Sequence, residues 1–321
     1  MRKSAGKRAG TGNMKRLIPA GKKTLHSMGL VSFDPEGMFC FEMNRWLMVY
    51  EAPKEMSGTL AGISPKLCGR LRITMHWGDL GGRETCHLSL MENAEDPAEA
   101  ESLFAEDEAV LLSMCVIRRM SVDEVMTETT ANFHNKTRFS YASAVRGRKD
   151  WEKECFAAVK EETDYFVSGR NYGESFLILS YPSKGGAEFI RTLRKLGCEI
   201  FLGIDLYALN GEEQADFDRT LEKHYNRRIP AREAGENVNL SMGIAVVCDS
   251  LDAVRIVEQT LSAVAARNGF LLTPAYGMQK KYYYSLASFG MEDAKIMRNT
   301  DAGTVMQMLG GEAYEDAAFE V

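Results

Sequence analysis

No stretch of this 321-residue chain approaches the roughly 18–20 consecutive apolar residues that cross a bilayer, and no apolar segment follows the basic N-terminus as in a secretory leader. Residence in the cytoplasm is therefore expected. Cysteine never occurs as C-x-x-C. The seven cysteines (Cys40, Cys68, Cys86, Cys115, Cys155, Cys198 and Cys248) are scattered and odd in number, which argues against a disulfide framework and against structural zinc. Several fall at apolar positions of strand or helix patterns, where a thiol packs as a small hydrophobe. Phosphate-cradling loops are also missing. Gly21-Lys22-Lys23-Thr24 ends like a P-loop, but Arg16 stands where the first glycine belongs and Lys23 where Ser or Thr should follow the lysine. The other glycine-rich stretches, Gly78–Gly82, Gly185–Gly186 and Gly310–Gly311, fit neither that loop nor the dinucleotide fingerprint, and G-x-S-x-G is absent. No catalytic residue, cofactor or metal site is assigned. A protein that works by contact rather than by chemistry is expected.

What is present is globular. The apolar fraction of 45% and the charged fraction of 26% are average for folded proteins, and the length suits one large domain or two moderate ones. The net charge of −6 hides an asymmetry. Residues 1–33 hold Arg2, Lys3, Lys7, Arg8, Lys15, Arg16, Lys22 and Lys23 and no acid, leaving 31 of the 39 basic residues against all 45 acids, a body charge of −14. We read residues 1–33 as a basic flexible arm and its eight cations as candidate contacts for an anion or a nucleic acid, a lipid surface or an acidic partner.

Beyond the arm, the pattern divides into a first α/β unit (34–140), a helical connection (141–172), a second α/β unit (173–310) and an acidic tail (311–321). Trp46–Glu51 reads as a buried strand, and residues 57–68 as a short helix. Leu71, Ile73 and Met75 alternate with polar residues, as do Cys86, Leu88 and Leu90 after a glycine-rich turn; this is a half-buried hairpin. Helices are expected near 97–118, 121–135 and 150–162, the last capped by Asp150. In the second unit, Phe176–Tyr181, the alternating Cys198–Leu206 and Leu240–Val246, and Phe270–Tyr276 are strands. Helices lie between them at about 186–196, after the Asn210/Glu213 capping box, and at 251–266, and a further one starts near Met278. The fold class is α+β (mixed α/β): two ferredoxin-like or related β-α-β units, with helices packed mainly on one face of the sheets.

Four constellations invite chemistry, and each has a plainer reading. His76 and His87 share a parity opposite to the apolar residues of their hairpin; without further ligands they read as solvent-exposed histidines. Asp205 and Asp249 stand near strand ends, where they read as helix caps before catalytic carboxylates. The acids of the 97–118 helix, Asp107 among them, read as a solvated face. Lys280-Lys281-Tyr282-Tyr283-Tyr284 mixes bases with aromatics, but successive residues on a helix point about 100° apart, so the tyrosines read as core or interface.

The stretch from Leu240 to Gly310 carries a family resemblance. Its residues are NLSMGIAVV, DSLDAVRIVEQTLSAVAARNG, FLLTPAYG, Gln279, SLASFG with Ser285, Leu286 and Gly290, and Arg298 before TDAGTVMQML. This segment resembles the end of the N-terminal, non-motor domain of the VirB, TraC and TrbE class of conjugation ATPases of type IV secretion. The resemblance implies a protein-interaction domain acting in conjugative DNA transfer, cytoplasmic or peripheral at the inner face of the cell membrane. Its partners would be other secretion subunits, a separate motor ATPase or a membrane protein, or a second copy of itself. Family members continue into a P-loop motor, whereas this sequence reaches Val321 without one, so the docking half without the engine is expected. The alternatives are a nucleic-acid-binding accessory protein using the basic arm and an enzyme of unrecognised type.

Overall fold

A computed structural model of the chain describes residues 26–34, 36–53, 66–78, 84–134, 155–226 and 237–309. The eight cations of the basic arm lie outside these residues, as do Asp150, the acidic tail and most of the helix expected over 57–68. The first half runs β1 (Leu30–Phe33), β2 (Met38–Phe41), β3 (Arg45–Glu51), β4 (Arg70–Trp77), β5 (Glu84–Asn93), α1 (Pro97–Leu112), β6 (Arg118–Arg119) and α2 (Val122–His134). The second begins β7 (Val159–Glu161), β8 (Phe166–Ser168), β9 (Asn171–Ser180), α3 (Ala187–Leu193), β10 (Glu199–Ala208) and α4 (Gly211–Tyr225). It continues β11 (Asn237–Cys248), α5 (Leu251–Arg267), β12 (Leu271–Pro274), α6 (Gln279–Ala287), β13 (Arg298–Asp301) and α7 (Ala302–Met308). Mixed α/β composition, with seven helices and 13 strands among the described residues, agrees with the expected class at that level. Among the described residues no helix is long and apolar enough to cross a membrane.

All the strands join one antiparallel sheet in the order β1-β2-β3-β5-β4-β10-β11-β9-β8-β7, with β6 beside β3, β12 beside β9 and β13 beside β11. Each strand of the first half, β1 to β6, has its counterpart six places on, and the order reads the same from either end. Helices follow suit: α1 lies between β5 and β6 as α5 lies between β11 and β12, and α2 follows β6 as α6 follows β12. The halves meet where β4 pairs with β10, from Trp77 opposite Ile200 to Leu71 opposite Leu206.

Local signals account for most elements. Asn210 accepts from the Glu212 and Glu213 N–H groups, and Glu213 reaches back to the Asn210 N–H, closing the capping box at the start of α4. Gly269, at φ +81°, follows the end of α5. Of the expected helical connection over 141–172, residues 141–154 lie outside the described residues, and 159–172 hold β7, β8 and the start of β9 in place of helix. Strands of three residues are too short to display period-two alternation, and they form because Val159 and Phe166 are buried beneath α6.

One face of the sheet carries Leu71, Ile73, Leu88, Leu90, Ile200, Leu202, Ile204, Met242 and Ile244, covered by α1, α3, α5 and α7. The other face is covered too, by α2, α6 and the Cys155–Ala157 segment, through Phe133, Phe156, Tyr283, Tyr284, Leu286 and Phe289. The β4–β5 hairpin is thus buried on both sides rather than half-buried. His76 and His87 do point away from the apolar residues, but they are only 7% and 4% exposed. Helices α2 and α6, contributed by distant sequence, close the face that hairpin patterning assigns to solvent.

Candidate functional site

Beneath α6 the centre of the sheet is small and polar. Arg72 and Thr74 on β4, Ser89 on β5, Gly203 and Asp205 on β10, and Ser241 and Gly243 on β11 share this face. Glycine at 203 and 243 lets the helix lie close: a Cβ at Gly203 would stand 2.5 Å from Leu286 Cδ2, and one at Gly243 3.6 Å from it. Arg72 is the centre of the contact. Its Nη2 donates to Asp205 Oδ2 at 2.9 Å, and its Nη1 donates to the Ser285 carbonyl and Oγ, both at 2.9 Å. Arg72 and Asp205 are direct cross-strand neighbours at the β4–β10 join, and both are almost fully buried. Asp205 is therefore an ion-pair partner and not a cap. Asp249 is not the cap of α5 either, because Ser250 fills that position and accepts from the Ala253 N–H.

The residues singled out by the family resemblance converge here. Gln279 receives the Ser175 N–H at 2.6 Å and returns its amide to the Ser175 carbonyl, fastening the start of α6 to β9. Ser285 takes Arg72, and Leu286 fills the Gly203/Gly243 hollow. Gly290, at φ +88°, turns the chain so that its carbonyl accepts from Arg45, as does that of Met291. Ser89 Oγ donates to the Phe289 carbonyl and Asn132 Nδ2 to that of Ala287. Arg298 stands apart, exposed on β13 opposite Leu240. All three tyrosines of the KKYYY run are buried, as their spacing implied. A Cβ at Gly290 would overlap Met91 Cε and lie 2.8 Å from Arg72 Nη1. Gly290→Ala is accordingly expected to cost about 2–3 kcal/mol in urea unfolding, combining a left-handed backbone with lost packing.

At the end of β4 and β5 a cleft of about 720 Å³ opens, bordered by Arg45, Arg70, Glu92, Tyr207, Asp293 and Lys295. Its cations are engaged by the protein: Arg45 binds the two carbonyls and lies over the Phe41 ring, and Arg70 and Lys295 pair with Asp293. Burial pushes the Arg45 guanidinium down to about 10. The signal that sequence reasoning missed is a carboxyl pair. Asp107, fully buried on α1, accepts the Cys68 and Gly69 N–H groups at 2.7 and 3.2 Å. Glu92, 5% exposed, packs against it and against Gly69, where a side chain would have no room. Burial, then the hydrogen bond to Asp107 and the negative charges of Asp107 and Glu106, pushes the Glu92 carboxyl up to about 9. Glu92 thus keeps its proton at neutral pH. Asp107 corrects the solvated reading of the acidic helix: it is the one acid of that helix aimed at the sheet, at the period of Ala100, Phe104 and Leu111.

His76 contacts Glu199 at 3.0 Å and stacks on Phe201 at 4.3 Å between ring centroids. Among the described residues no group of three or more His, Cys, Asp or Glu side chains is arranged to hold a metal. Arg72, Ser89 and Asn132 donate to carbonyls of α6 and of the turn after it, so that α6 ties the two halves together.

No family model matches the sequence, and no curated protein matches it. Among solved structures the chain is similar to a variant of berberine bridge enzyme in complex with (S)-reticuline, at 12% identity over 71% of this chain and 42% of that one. The chain thus spans less than half of that enzyme's length, and the TM-score of 0.29 is too low to carry an argument about fold or chemistry.

Proposed function

We propose that this chain is a non-catalytic protein-interaction module that resembles the N-terminal domain of a conjugation ATPase. It acts in conjugative DNA transfer by associating with other type IV secretion subunits at the inner face of the cell membrane. One observation supports the reading. Gln279, Ser285, Leu286 and Gly290, spread over the family-like segment, meet in a single clamp and spend their hydrogen bonds and shape on the fold. Each half is further read as a ferredoxin-like unit. The orders β4-β5-β3-β6 and β10-β11-β9-β12 both place the second, third, first and fourth strands of a unit side by side, which supports an internal repeat.

The test is to mix the purified chain with the motor domain of a conjugation ATPase and with the membrane subunits of the same transfer system. A stoichiometric complex by size-exclusion chromatography is expected. Failure to bind any of them, or steady hydrolysis of ATP by this chain alone, would overturn the proposal.

A further inference from the structure

The register of β10 and β11 sets two thiols against each other at one end of the sheet. Their ladder runs without a bulge from Ala208 opposite Val238 to Glu199 opposite Val247; continued one residue past the first residue of β10, the same register would set Cys198 opposite Cys248. Both side chains lie on the α5 face, in the same apolar cluster as Ile200 and Val246, and each is less than a tenth exposed. Both also line a cleft of about 300 Å³ that they share with Gly197, Asp249, Ile256 and Val257. Residues directly opposed on antiparallel strands have Cα atoms roughly 4.5 or 5.5 Å apart. Either spacing falls within the roughly 4.4–6.8 Å that a disulfide spans.

We propose that Cys198 and Cys248 form a redox-modification site, at which a small-molecule disulfide entering the cleft drives closure of a cross-strand disulfide. One protein thiolate attacks a sulfur of the reagent, breaking its S–S bond and expelling a thiol. The other protein thiolate then attacks the protein-bound sulfur and expels the second thiol. One S–S bond is lost and one gained, the two protein thiols are oxidised by two electrons, and the reagent leaves as two thiols carrying the two protons. The new bond closes a loop of about 50 residues around α4 and ties together the ends of β10 and β11 beside the α3–β10 turn, which restricts the unfolded chain.

The experiment incubates the folded full-length chain with oxidised glutathione, then blocks remaining thiols in denaturant and digests with trypsin. The exposed thiol Cys68 is first removed as Cys68→Ser. Peptides 196–219 and 233–255 are expected as one species, two hydrogens lighter than their sum and separated by dithiothreitol. Tm is expected to rise by several degrees. The proposal is overturned if both cysteines are recovered blocked, if the link appears only in denaturant, or if the same Tm rise occurs in the Cys198→Ser, Cys248→Ser double variant.

Discussion

Arg72→Met is expected to lower stability by roughly 3–5 kcal/mol, enough to reduce Tm by about 10 °C. The substitution preserves much of the side-chain volume, so the effect is electrostatic. It leaves Asp205 buried at 2% exposure without its 2.9 Å partner, and Arg70 Nε at 3.6 Å is the nearest remaining cation. It also releases Ser285 from two hydrogen bonds, loosening α6. Removing the acid as well, in Arg72→Met with Asp205→Leu, is expected to recover a large part of the loss. The penalty comes from the stranded charge rather than from the absence of the pair's own attraction. Urea unfolding of the two single variants and the double variant checks this. A single-variant loss below about 1 kcal/mol would show that water reaches Asp205 and that the clamp is not as dry as its geometry implies.

Glu92→Gln is expected to stabilise the protein at neutral pH and to flatten the dependence of its stability on pH. Glu92 is held up to about 9 in the fold against 4.5 for a free glutamate. Folded Glu92 therefore binds its proton more tightly than unfolded Glu92. Its stabilising contribution is complete below about pH 4.5 and is lost progressively as pH climbs to about 9. Linkage over that span gives ~3 kcal/mol at pH 7, and partial access of water from the cleft reduces this to about 2 kcal/mol. A glutamine amide can donate to Asp107 without a proton to lose. The two proteins should then match near pH 4 and diverge as pH rises. Parallel stability curves from pH 4 to 9 would mean that Glu92 ionises freely in the fold.

Much of the secondary structure could be read directly. Period-two runs such as Ile200–Leu206 and Leu240–Val246, and the cap at Asn210, are local signals, because strand faces and helix ends are set by neighbours in sequence. Helical geometry keeps Tyr282, Tyr283 and Tyr284 from forming one stacking platform, which points to core or interface. The short strands β7 and β8 left no periodic trace. Polar residues that face another polar residue across the sheet look the same in sequence as polar residues that face water. This is why His76 and His87 read as solvent-exposed, Asp205 as a cap and Asp107 as one of the solvated acids. Gln279, Ser285, Leu286 and Gly290 stand out through a family pattern, but nothing in their spacing reveals that Ser285 holds Arg72, more than two hundred residues earlier.

By itself the sequence determined the types of the longer elements, the alternation of apolar positions and the scattered thiols, because each depends on residues within a turn or two of one another. Only the tertiary structure decided that the two halves join edge to edge through β4 and β10, that both faces of the sheet are covered, and that Cys198 and Cys248 line one cleft. Those outcomes depend on the register between distant strands, and register is chosen by the packing of whole faces rather than by any local run.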